Sequence, residues 1–501
     1  MSFKYLKNII DGIKKLDVEV DDYKRVVQNP YIPSIAYVNW GIYLAEAGNV
    51  DGAEEKLISS TLMAHQTPEA YINLGVLKTR EGKYEEAKEL YSKAIRLDNN
   101  NAKAYCFLGN VLTEMRDYKE AEKKFSHALK IDPNNSDIFL NWGISLIRER
   151  KFTPAREKLE QALKLNSSNF SVLYFLGLID IEFGDFDKAK EKFNLIISVV
   201  PDNHEAFYYL AYIYYKENNF EKSLGFSLKS LELYPKKAET YMLISESYMN
   251  LENEAECFKY YESGEKECDT NYYFLISWGI ALQHFGRFEQ SKEKFQKAVE
   301  IDGENELGTA YLGISFYKLQ DYDNAAKFFQ KTLSLNPQNI IALDNLGQIE
   351  FDRENYKAAI KYFELVLKNS AKAIGNYSKI AKAYFLDGNL QKAGEYYQKA
   401  LEYRPDDVSA CIDYARILIE QKNYEPALKK LQSAYKIDDK NLDCLNLLFY
   451  VNYTLAKEKF SDYNVEKAME FAEKIQENYP DSFSYKEEKE ELAELKAKVK
   501  S

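Results

Sequence analysis

The chain has 501 residues, of which 46% are hydrophobic and 14% aromatic, and its formal net charge at pH 7 is -12. This acidic excess disfavours a nucleic-acid-binding or anionic-membrane-binding surface, because both need an excess of lysine and arginine. No stretch approaches the roughly 20 apolar residues of a membrane-spanning helix, so we expect no membrane span. Asp11, Lys14 and Lys15 interrupt the only apolar run near the N-terminus, so we also expect no signal peptide.

A unit of 34 residues is repeated along the chain, and its clearest copy covers residues 102–135. Apolar residues recur at steps of three and four around Gly109 and again after Ala121, which predicts two amphipathic helices. Gly109 and Ala121 are small where the two helices must approach closely. Tyr105 and Phe125 are large where a gap must be filled.

Two small residues mark the same two positions in twelve consecutive copies of the unit. The first, which we call the reference position, is occupied by Gly41, Gly75, Gly109, Gly143, Gly177, Ala211, Ser245, Gly279, Gly313, Gly347, Ala381 and Ala415. The second is occupied by Ala53, Ala87, Ala121, Ala155, Ala189, Ser223, Cys257, Ser291, Ala325, Ala359, Ala393 and Ala427. Every step is 34 residues, so we predict twelve tandem repeats at 34–441.

This pattern resembles the tetratricopeptide repeat (TPR) family. The family signature is present in the second copy as Tyr71, Leu74, Gly75, Tyr84, Ala87, Tyr91 and Ala94. The resemblance implies an all-α fold, an α-solenoid in which antiparallel helix pairs stack into a right-handed superhelix. About twelve regular units are expected, with degenerate capping units at the ends. The first helix of each pair would line a concave wall and the second a convex wall.

Two parts of the chain depart from the regular pattern before its end. Residues 1–33 keep the phase weakly, since Lys7 and Glu19 occupy the two small-residue positions. We expect a degenerate N-terminal capping repeat there, because a terminal unit has one uncovered side, and a docking helix is the alternative. The seventh copy, 238–271, has Glu254 in place of an aromatic residue. We interpret it as a divergent copy, with a flexible joint as the alternative.

The phase breaks after Asn441. Ala468 follows Phe449 by 19 residues, where a regular repeat would have 12. The extra seven residues are close to two helical turns of 3.6 residues each. We therefore expect a degenerate final repeat with lengthened helices at 442–480, followed by a C-terminal capping helix at 481–501.

The resemblance also implies where a partner would bind. First-helix side chains six, three and two residues before the reference position, and one, four and five after it, face the concave groove in this family. We expect that packing between helices does not need them. The candidate peptide-binding residues at these sites are Asn39, Asn73, Lys103, Asn110, Asn141, Tyr174, Phe175, Tyr208, Tyr209, Tyr212, Tyr215, Met242, Tyr273, Ile280, Tyr311, Ile314 and Tyr317.

The candidate residues change character along the chain. Asparagines dominate the first four repeats, and because an amide donates and accepts hydrogen bonds, a row of them can hold an extended peptide backbone. Tyrosines and other apolar residues dominate the next five repeats. We hypothesise that these rings grip an apolar partner segment. The alternative is that they contact each other and only fill the inner curve.

Several motifs that would carry other functions are absent. Some TPR proteins bind the C-terminal carboxylates of chaperone tails, but Cys106, Ser171 and Phe175 stand where that clamp needs its basic residues. No HExxH, paired CxxC, nucleotide-binding or nucleophile-elbow motif occurs, so we expect no metal, no cofactor and no catalysis. Five scattered cysteines without a secretory signal indicate reduced thiols and a cytoplasmic protein.

The sequence therefore predicts a non-catalytic scaffold for protein–protein interaction, which binds a protein or peptide segment in its concave groove. The alternative is an architectural strut in a larger assembly, for which the convex and terminal surfaces would matter most.

Overall fold

The computed structural model describes residues 34–62, 67–269, 271–370, 372–459, 461–480 and 485–499. In these residues the secondary structure is entirely helical, with 27 helices and no strand. The expected all-α fold of antiparallel helix pairs is confirmed. The capping repeat expected at 1–33 lies outside the described residues.

The chain divides into two compact units between Asn253 and Glu254, so the boundary falls between the two helices of the seventh repeat. The helices of unit 1 are α1 Ser34–Glu46, α2 Val50–Thr61, α3 Pro68–Arg80, α4 Tyr84–Leu97, α5 Ala102–Glu114, α6 Tyr118–Ile131, α7 Ser136–Arg148, α8 Phe152–Leu165, α9 Phe170–Phe183, α10 Phe186–Val199, α11 His204–Lys216, α12 Phe220–Leu233 and α13 Ala238–Asn250.

The helices of unit 2 are α14 Glu254–Glu267, α15 Tyr272–His284, α16 Phe288–Ile301, α17 Glu306–Lys318, α18 Tyr322–Leu335, α19 Ile340–Asp352, α20 Tyr356–Asn369, α21 Asn376–Leu386, α22 Leu390–Tyr403, α23 Val408–Glu420, α24 Tyr424–Ile437, α25 Leu442–Lys459, α26 Asp462–Asn478 and α27 Lys486–Val499. Through α26, odd-numbered helices are the first of their pair and even-numbered helices are the second.

Asparagine or aspartate is the N-cap residue, directly before the first helical residue, of most of these helices. The Asn101 side chain accepts a hydrogen bond from the backbone N–H of Ala104, and Asp117 accepts one from that of Glu120. Such caps satisfy backbone donors that the first turn of a helix leaves unpaired. The short loops between helices therefore fix where each helix starts.

The turn inside every regular pair contains one residue in the left-handed region, seven positions after the reference residue. In five copies this residue is a glycine, and in the other seven it has a side chain, as at Arg116 (φ 63°) and Asn218 (φ 57°). A left-handed residue with a Cβ atom costs roughly 1–2 kcal/mol. The tight reversal that brings the two helices together is thus kept even where the residue disfavours it.

The reference glycines let the two helices of a pair approach closely. A Cβ atom at Gly109 would lie 2.7 Å from the Phe125 ring, and one at Gly177 would lie 2.8 Å from the Phe193 ring. Both rings are fully buried. The predicted pairing of a small first-helix residue with a large second-helix residue is confirmed.

Successive repeats are joined by a second regular contact. In three repeats, an aromatic residue two positions before the reference position stacks on the large second-helix residue of the preceding repeat. Phe107 lies on Tyr91 with ring centroids 5.7 Å apart, and Tyr209 lies on Phe193 at 5.4 Å. This position therefore contributes to packing, contrary to the expectation that the wall residues do not.

The chain after Asn441 forms longer helices than the regular repeats. α25 has 18 residues and α26 has 17, compared with 13 and 14 in most earlier pairs. Leu492 on α27 is fully buried in the same hydrophobic cluster as α25 and α26. The division into a final repeat at 442–480 and a capping helix at 481–501 stays a prediction.

Candidate peptide-binding surface

The candidate residues are only partly accessible. Lys103 and Tyr273 are exposed, and the other fifteen are half-buried. Those from Asn39 to Met242 belong to unit 1, and those from Tyr273 to Tyr317 belong to unit 2. Half-burial suits a wall residue that contacts its neighbours and still presents one side to solvent.

The candidate tyrosines on α9 and α11 form what we call the tyrosine cluster: Tyr174, Tyr208, Tyr209, Tyr212 and Tyr215. Tyr209 contacts Tyr208 and Tyr174 edge to face, with ring centroids 5.1 and 5.6 Å apart. The Tyr174 hydroxyl donates a hydrogen bond to the Tyr209 hydroxyl at 3.5 Å. Edge-to-face contacts are a favourable geometry for aromatic pairs. The rings thus hold one another in fixed positions on α9 and α11.

Beside these rings lies a cleft of about 360 Å³, which we call the tyrosine cleft. It is lined by Ile147, Phe152, Leu178, Ile179, Ile181, Glu182, Tyr208, Tyr209 and Tyr212. These residues belong to α7, α8, α9 and α11, so the cleft spans three successive repeats. Its volume falls in the range of small-ligand or side-chain pockets, and its walls are mostly apolar.

Sequence analysis identified only the three tyrosines of this cleft. Ile147, Leu178 and Ile181 stand at register positions that face the groove, four, one and four residues after their reference glycines. They were not selected because an aliphatic residue on an amphipathic helix is usually part of the core. Their register position was the signal that could have identified them.

Burial keeps the cluster's hydroxyls protonated. It raises the pKa of Tyr174, Tyr208 and Tyr209, and it raises the pKa of Tyr215 to about 12. A neutral phenol can both donate and accept a hydrogen bond. At neutral pH the cluster therefore offers ring faces and hydroxyl groups rather than negative charge of its own.

Two ammonium groups already lie on these rings. Lys237 Nζ is 3.9 Å from the centroid of the Tyr208 ring, and Lys216 Nζ is 5.2 Å from that of Tyr212. Burial lowers the pKa of Lys237. The contacts indicate that the tyrosine faces are oriented so that they can hold a cation.

The asparagines of the first repeats use part of their hydrogen-bonding capacity within the protein. The Asn73 amide donates to the backbone oxygen of Glu69 at 2.8 Å, and the Asn141 amide donates to that of Asp137 at 2.7 Å. The Asn110 amide nitrogen is buried and has no hydrogen-bond partner among the described residues. Asn110 therefore keeps an unused donor, whereas Asn73 and Asn141 are held by their own helices.

The tyrosines of unit 2 are less concentrated. Tyr311 stacks on Phe295 at 5.5 Å, and its backbone oxygen accepts a hydrogen bond from Gln283 at 3.2 Å. The Tyr317 hydroxyl donates to Asp352 at 3.2 Å. Tyr273 is 62% exposed. Ile280 and Ile314 pack against two different hydrophobic clusters of unit 2, so these candidates do not share one lined cavity.

The site where a chaperone-tail clamp would have its first lysine holds a neutral thiol. Cys106 is 6% exposed, and burial raises its pKa to about 12. The Asn141 amide donates a hydrogen bond to its sulfur at 3.6 Å. This thiol supplies no positive charge to a carboxylate.

The residues that the structure describes contain no group of three or more His, Cys, Asp or Glu side chains placed to bind a metal ion. None of their helices combines the length and the hydropathy needed to cross a membrane.

Several solved structures are similar to this chain. The chain is 14% identical to a chain of the APC/C hetero-tetramer Cut9–Hcn1, over 90% of this chain and 99% of that one, with a TM-score of 0.41. Yeast Tom70 is 17% identical, over 89% and 99% of the two chains, with a TM-score of 0.40. The TPR protein YrrB is 27% identical, over 37% and 96%, with a TM-score of 0.31. No curated protein matches the sequence.

Family profiles match along most of the chain. Tetratricopeptide repeat profiles match residues 68–101, 180–238, 277–340, 311–374 and 384–448, and the profile of the cytochrome c-type biogenesis protein H TPR domain matches 93–207. Together these ranges cover more than half of the residues, and they fall on the helix pairs described above. The chain belongs to the tetratricopeptide repeat family.

Proposed function

We propose that this protein is a non-catalytic scaffold that captures an extended segment of a partner protein on the first-helix wall of its repeats. TPR proteins generally mediate protein–protein interactions. The observation that carries the proposal is the tyrosine cleft, an apolar cavity of about 360 Å³ bordered by neutral tyrosine hydroxyls. Apolar cavities with a few polar groups are the usual places where a partner side chain is anchored.

The physical advantage of this wall is that it is already ordered. Tyr174, Tyr208 and Tyr209 contact one another, and Tyr209 also stacks on the buried Phe193. Ordering a mobile side chain on binding costs about 0.5–1.5 kcal/mol, and these rings avoid much of that cost. A preformed aromatic surface thus retains more of the free energy that its contacts supply.

The proposed location is the cytoplasm. Cys106, Cys411 and Cys444 are buried, and burial raises the pKa of each thiol. Buried, protonated thiols are inert core residues, as expected for a protein of a reducing compartment. Labelling the native and the unfolded protein with a thiol reagent in cell extracts would test this: the three buried thiols should be reduced and should react only after unfolding.

The binding proposal is tested by replacing Tyr208, Tyr212 and Tyr215 together with serine. Tyr209 is left in place because its stacking on Phe193 contributes to the fold. We expect a folded variant whose capture of partner proteins, measured by affinity purification and mass spectrometry, falls at least about tenfold, since about 1.4 kcal/mol of lost binding energy suffices. A matched control replaces the exposed Tyr403, Tyr450 and Tyr463 with serine and should behave like the wild type.

Unchanged capture by a triple variant with the wild-type circular dichroism spectrum and melting temperature would refute the binding role. It would then favour the architectural strut.

One observation favours the architectural strut, which is the second candidate function. The last residues of several second helices in unit 1 are exposed and aliphatic: Leu97 is 45% exposed, Leu165 42% and Val199 56%. Exposed apolar residues in a repeating register suit contact with a flat partner surface. For a strut, replacing these three residues with serine would abolish assembly while the tyrosine variant would not; for the groove scaffold we expect the reverse.

A further inference from the structure

The rim of the tyrosine cleft is acidic. Carboxylates occupy groove-facing register positions on three successive first helices: Glu182 on α9, Glu205 on α11, and Glu239 and Glu246 on α13. The nearby cations are Lys216, Lys237 and Arg150, and Arg150 pairs with Glu182 at 3.7 Å. Four carboxylates against three cations leave the rim with an excess of negative charge.

These carboxylates lie close to the rings. Glu182 lines the cleft directly. Burial raises the pKa of Tyr208 and Tyr209, and nearby negative charge adds to this effect: Glu239 acts on both hydroxyls, and Glu205 acts on that of Tyr209. Glu205 and Glu239 form no ion pair within 4 Å in the part of the chain that the structure describes. Neither carboxylate is held in a direct ion pair, although the charges of both act on Lys237, where they oppose the lowering of its pKa by burial.

The rings themselves already hold cations. Lys237 Nζ lies over the Tyr208 ring, and Lys216 Nζ lies over the Tyr212 ring. Each of these two rings therefore stabilises an ammonium group, and a guanidinium group can be stabilised in the same way. A side chain from outside could use the same kind of contact on the cleft side of the rings. An apolar side chain beside it would enter the space between Ile147, Leu178 and Ile181.

The first four repeats of unit 1 differ in the charge of their groove-facing positions. Their groove-facing positions carry Arg80, Lys103 and Arg148 as well as acidic residues, and Arg148 is paired with Glu114. Charge there is close to balanced. The apolar cavity is lined by α7, α8, α9 and α11, and the excess carboxylates lie on α9, α11 and α13.

We propose that the tyrosine cleft takes a basic partner segment in which an apolar side chain is flanked by arginine or lysine. This inference rests on the proposed scaffold function and adds the chemistry of the partner. The apolar side chain fills the cleft, and the flanking cations lie on the tyrosine faces and pair with Glu205 or Glu239. Charge complementarity of this kind selects among partners and speeds association.

The test uses three fluorescent peptides and the full chain. One peptide alternates arginine with leucine, the second has glutamate in place of arginine, and the third has glutamine. Fluorescence anisotropy should give at least about tenfold tighter binding of the arginine peptide than of the glutamate peptide at low salt. That preference should shrink as salt screens the charges, over a Debye length of about 8–10 Å at physiological ionic strength.

Two variants separate this inference from the proposed function. The double variant Glu205→Gln, Glu239→Gln should lose most of the preference for the arginine peptide and keep its fold. The control Glu85→Gln, Glu86→Gln removes the same charge from exposed positions on α4 and should keep the preference.

If all three peptides bind alike and the Tyr208, Tyr212 and Tyr215 serine variant binds none, the charge inference is overturned while the scaffold stands. If the serine variant binds every peptide as the wild type does, both the charge inference and the proposed scaffold function are overturned.

Discussion

Repeat 3 (102–135) and repeat 6 (204–237) of unit 1 share one register but differ in where they place polar and aromatic side chains. On the groove-facing side, repeat 3 has Lys103, Asn110 and Glu114, whereas repeat 6 has Tyr208, Tyr209, Tyr212 and Tyr215. In the core of the second helix, repeat 3 has Ala121, Phe125 and Ala128, whereas repeat 6 has Ser223, Ser227 and Ser230. Repeat 6 thus has more aromatic rings on its wall and more hydroxyls in its second-helix core than repeat 3.

This difference indicates which residues serve stability and which serve another purpose. Placing large apolar rings at the surface and hydroxyls in the core is the opposite of what burial favours. Two of the serines are satisfied, because Ser230 donates to the backbone oxygen of His204 and Ser223 bonds to Ser247, but Ser227 has no hydrogen-bond partner among the described residues. Local departures of this kind are typical of functional sites.

The largest effect should come from the core of repeat 3. Phe125 is fully buried and lies where Gly109 leaves space for it, so Phe125→Ala should cost about 3–5 kcal/mol in the free energy of unfolding. Urea unfolding followed by circular dichroism measures this value. A loss below about 1 kcal/mol would mean that the glycine–phenylalanine contact does not organise the repeat.

The second effect separates packing from binding within the tyrosine cluster. Tyr209 stacks on Phe193 and contacts Tyr174, so Tyr209→Ala should cost about 2 kcal/mol. The control is Tyr212→Ala, whose ring has a Lys216 ammonium over it and which should lose less than about 1 kcal/mol. Equal losses for the two variants would contradict the division of roles.

The third effect is a gain in stability. Ser227→Ala removes a buried hydroxyl that has no partner, and we expect the free energy of unfolding to rise by about 1 kcal/mol. Ser230→Ala is the matched control, because its hydroxyl donates to His204 at 2.8 Å, and it should lower stability by a similar amount. If Ser227→Ala is destabilising, the buried hydroxyl of Ser227 does not lower the stability of repeat 6 as we infer.

The smallest effect concerns alkaline pH. Burial raises the pKa of Tyr215 to about 12, above the value of about 10 for an unfolded chain. The neutral phenol is favoured in the folded state, so its contribution is complete below about pH 10 and is lost as the pH rises through the folded pKa. Urea midpoints of the wild type should therefore fall between about pH 10 and 12 more steeply than those of Tyr215→Phe. Parallel curves would show that Tyr215 is not desolvated.

The sequence was sufficient for the helix pairs because period, small residues and caps all agree. Gly109 opposite Phe125 is a local rule that repeats every 34 residues and needs no knowledge of distant contacts. The left-handed residue in each turn was not identified from the sequence, because positions such as Arg116 and Glu354 carry side chains that give no signal for a positive φ.

The candidate surface was less predictable for a physical reason. Whether a first-helix residue packs depends on the preceding repeat: Tyr209 lines the cleft and also stacks on Phe193 of that repeat. Leu178 and Ile181 line the tyrosine cleft, and in sequence only their register position distinguishes them from core residues of an amphipathic helix. The cleft exists only because three repeats place such residues side by side.

Site-specific photo-crosslinking tests the central claim most directly. A photoreactive phenylalanine derivative is placed at Tyr212 on α11 or, as a control, at the exposed Lys229 on α12, and each protein is irradiated with the arginine–leucine peptide. A first-helix wall that binds a partner segment predicts a crosslink from position 212 and none from position 229. A crosslink from position 229 alone, or none from either position under conditions where the peptide binds, would contradict it.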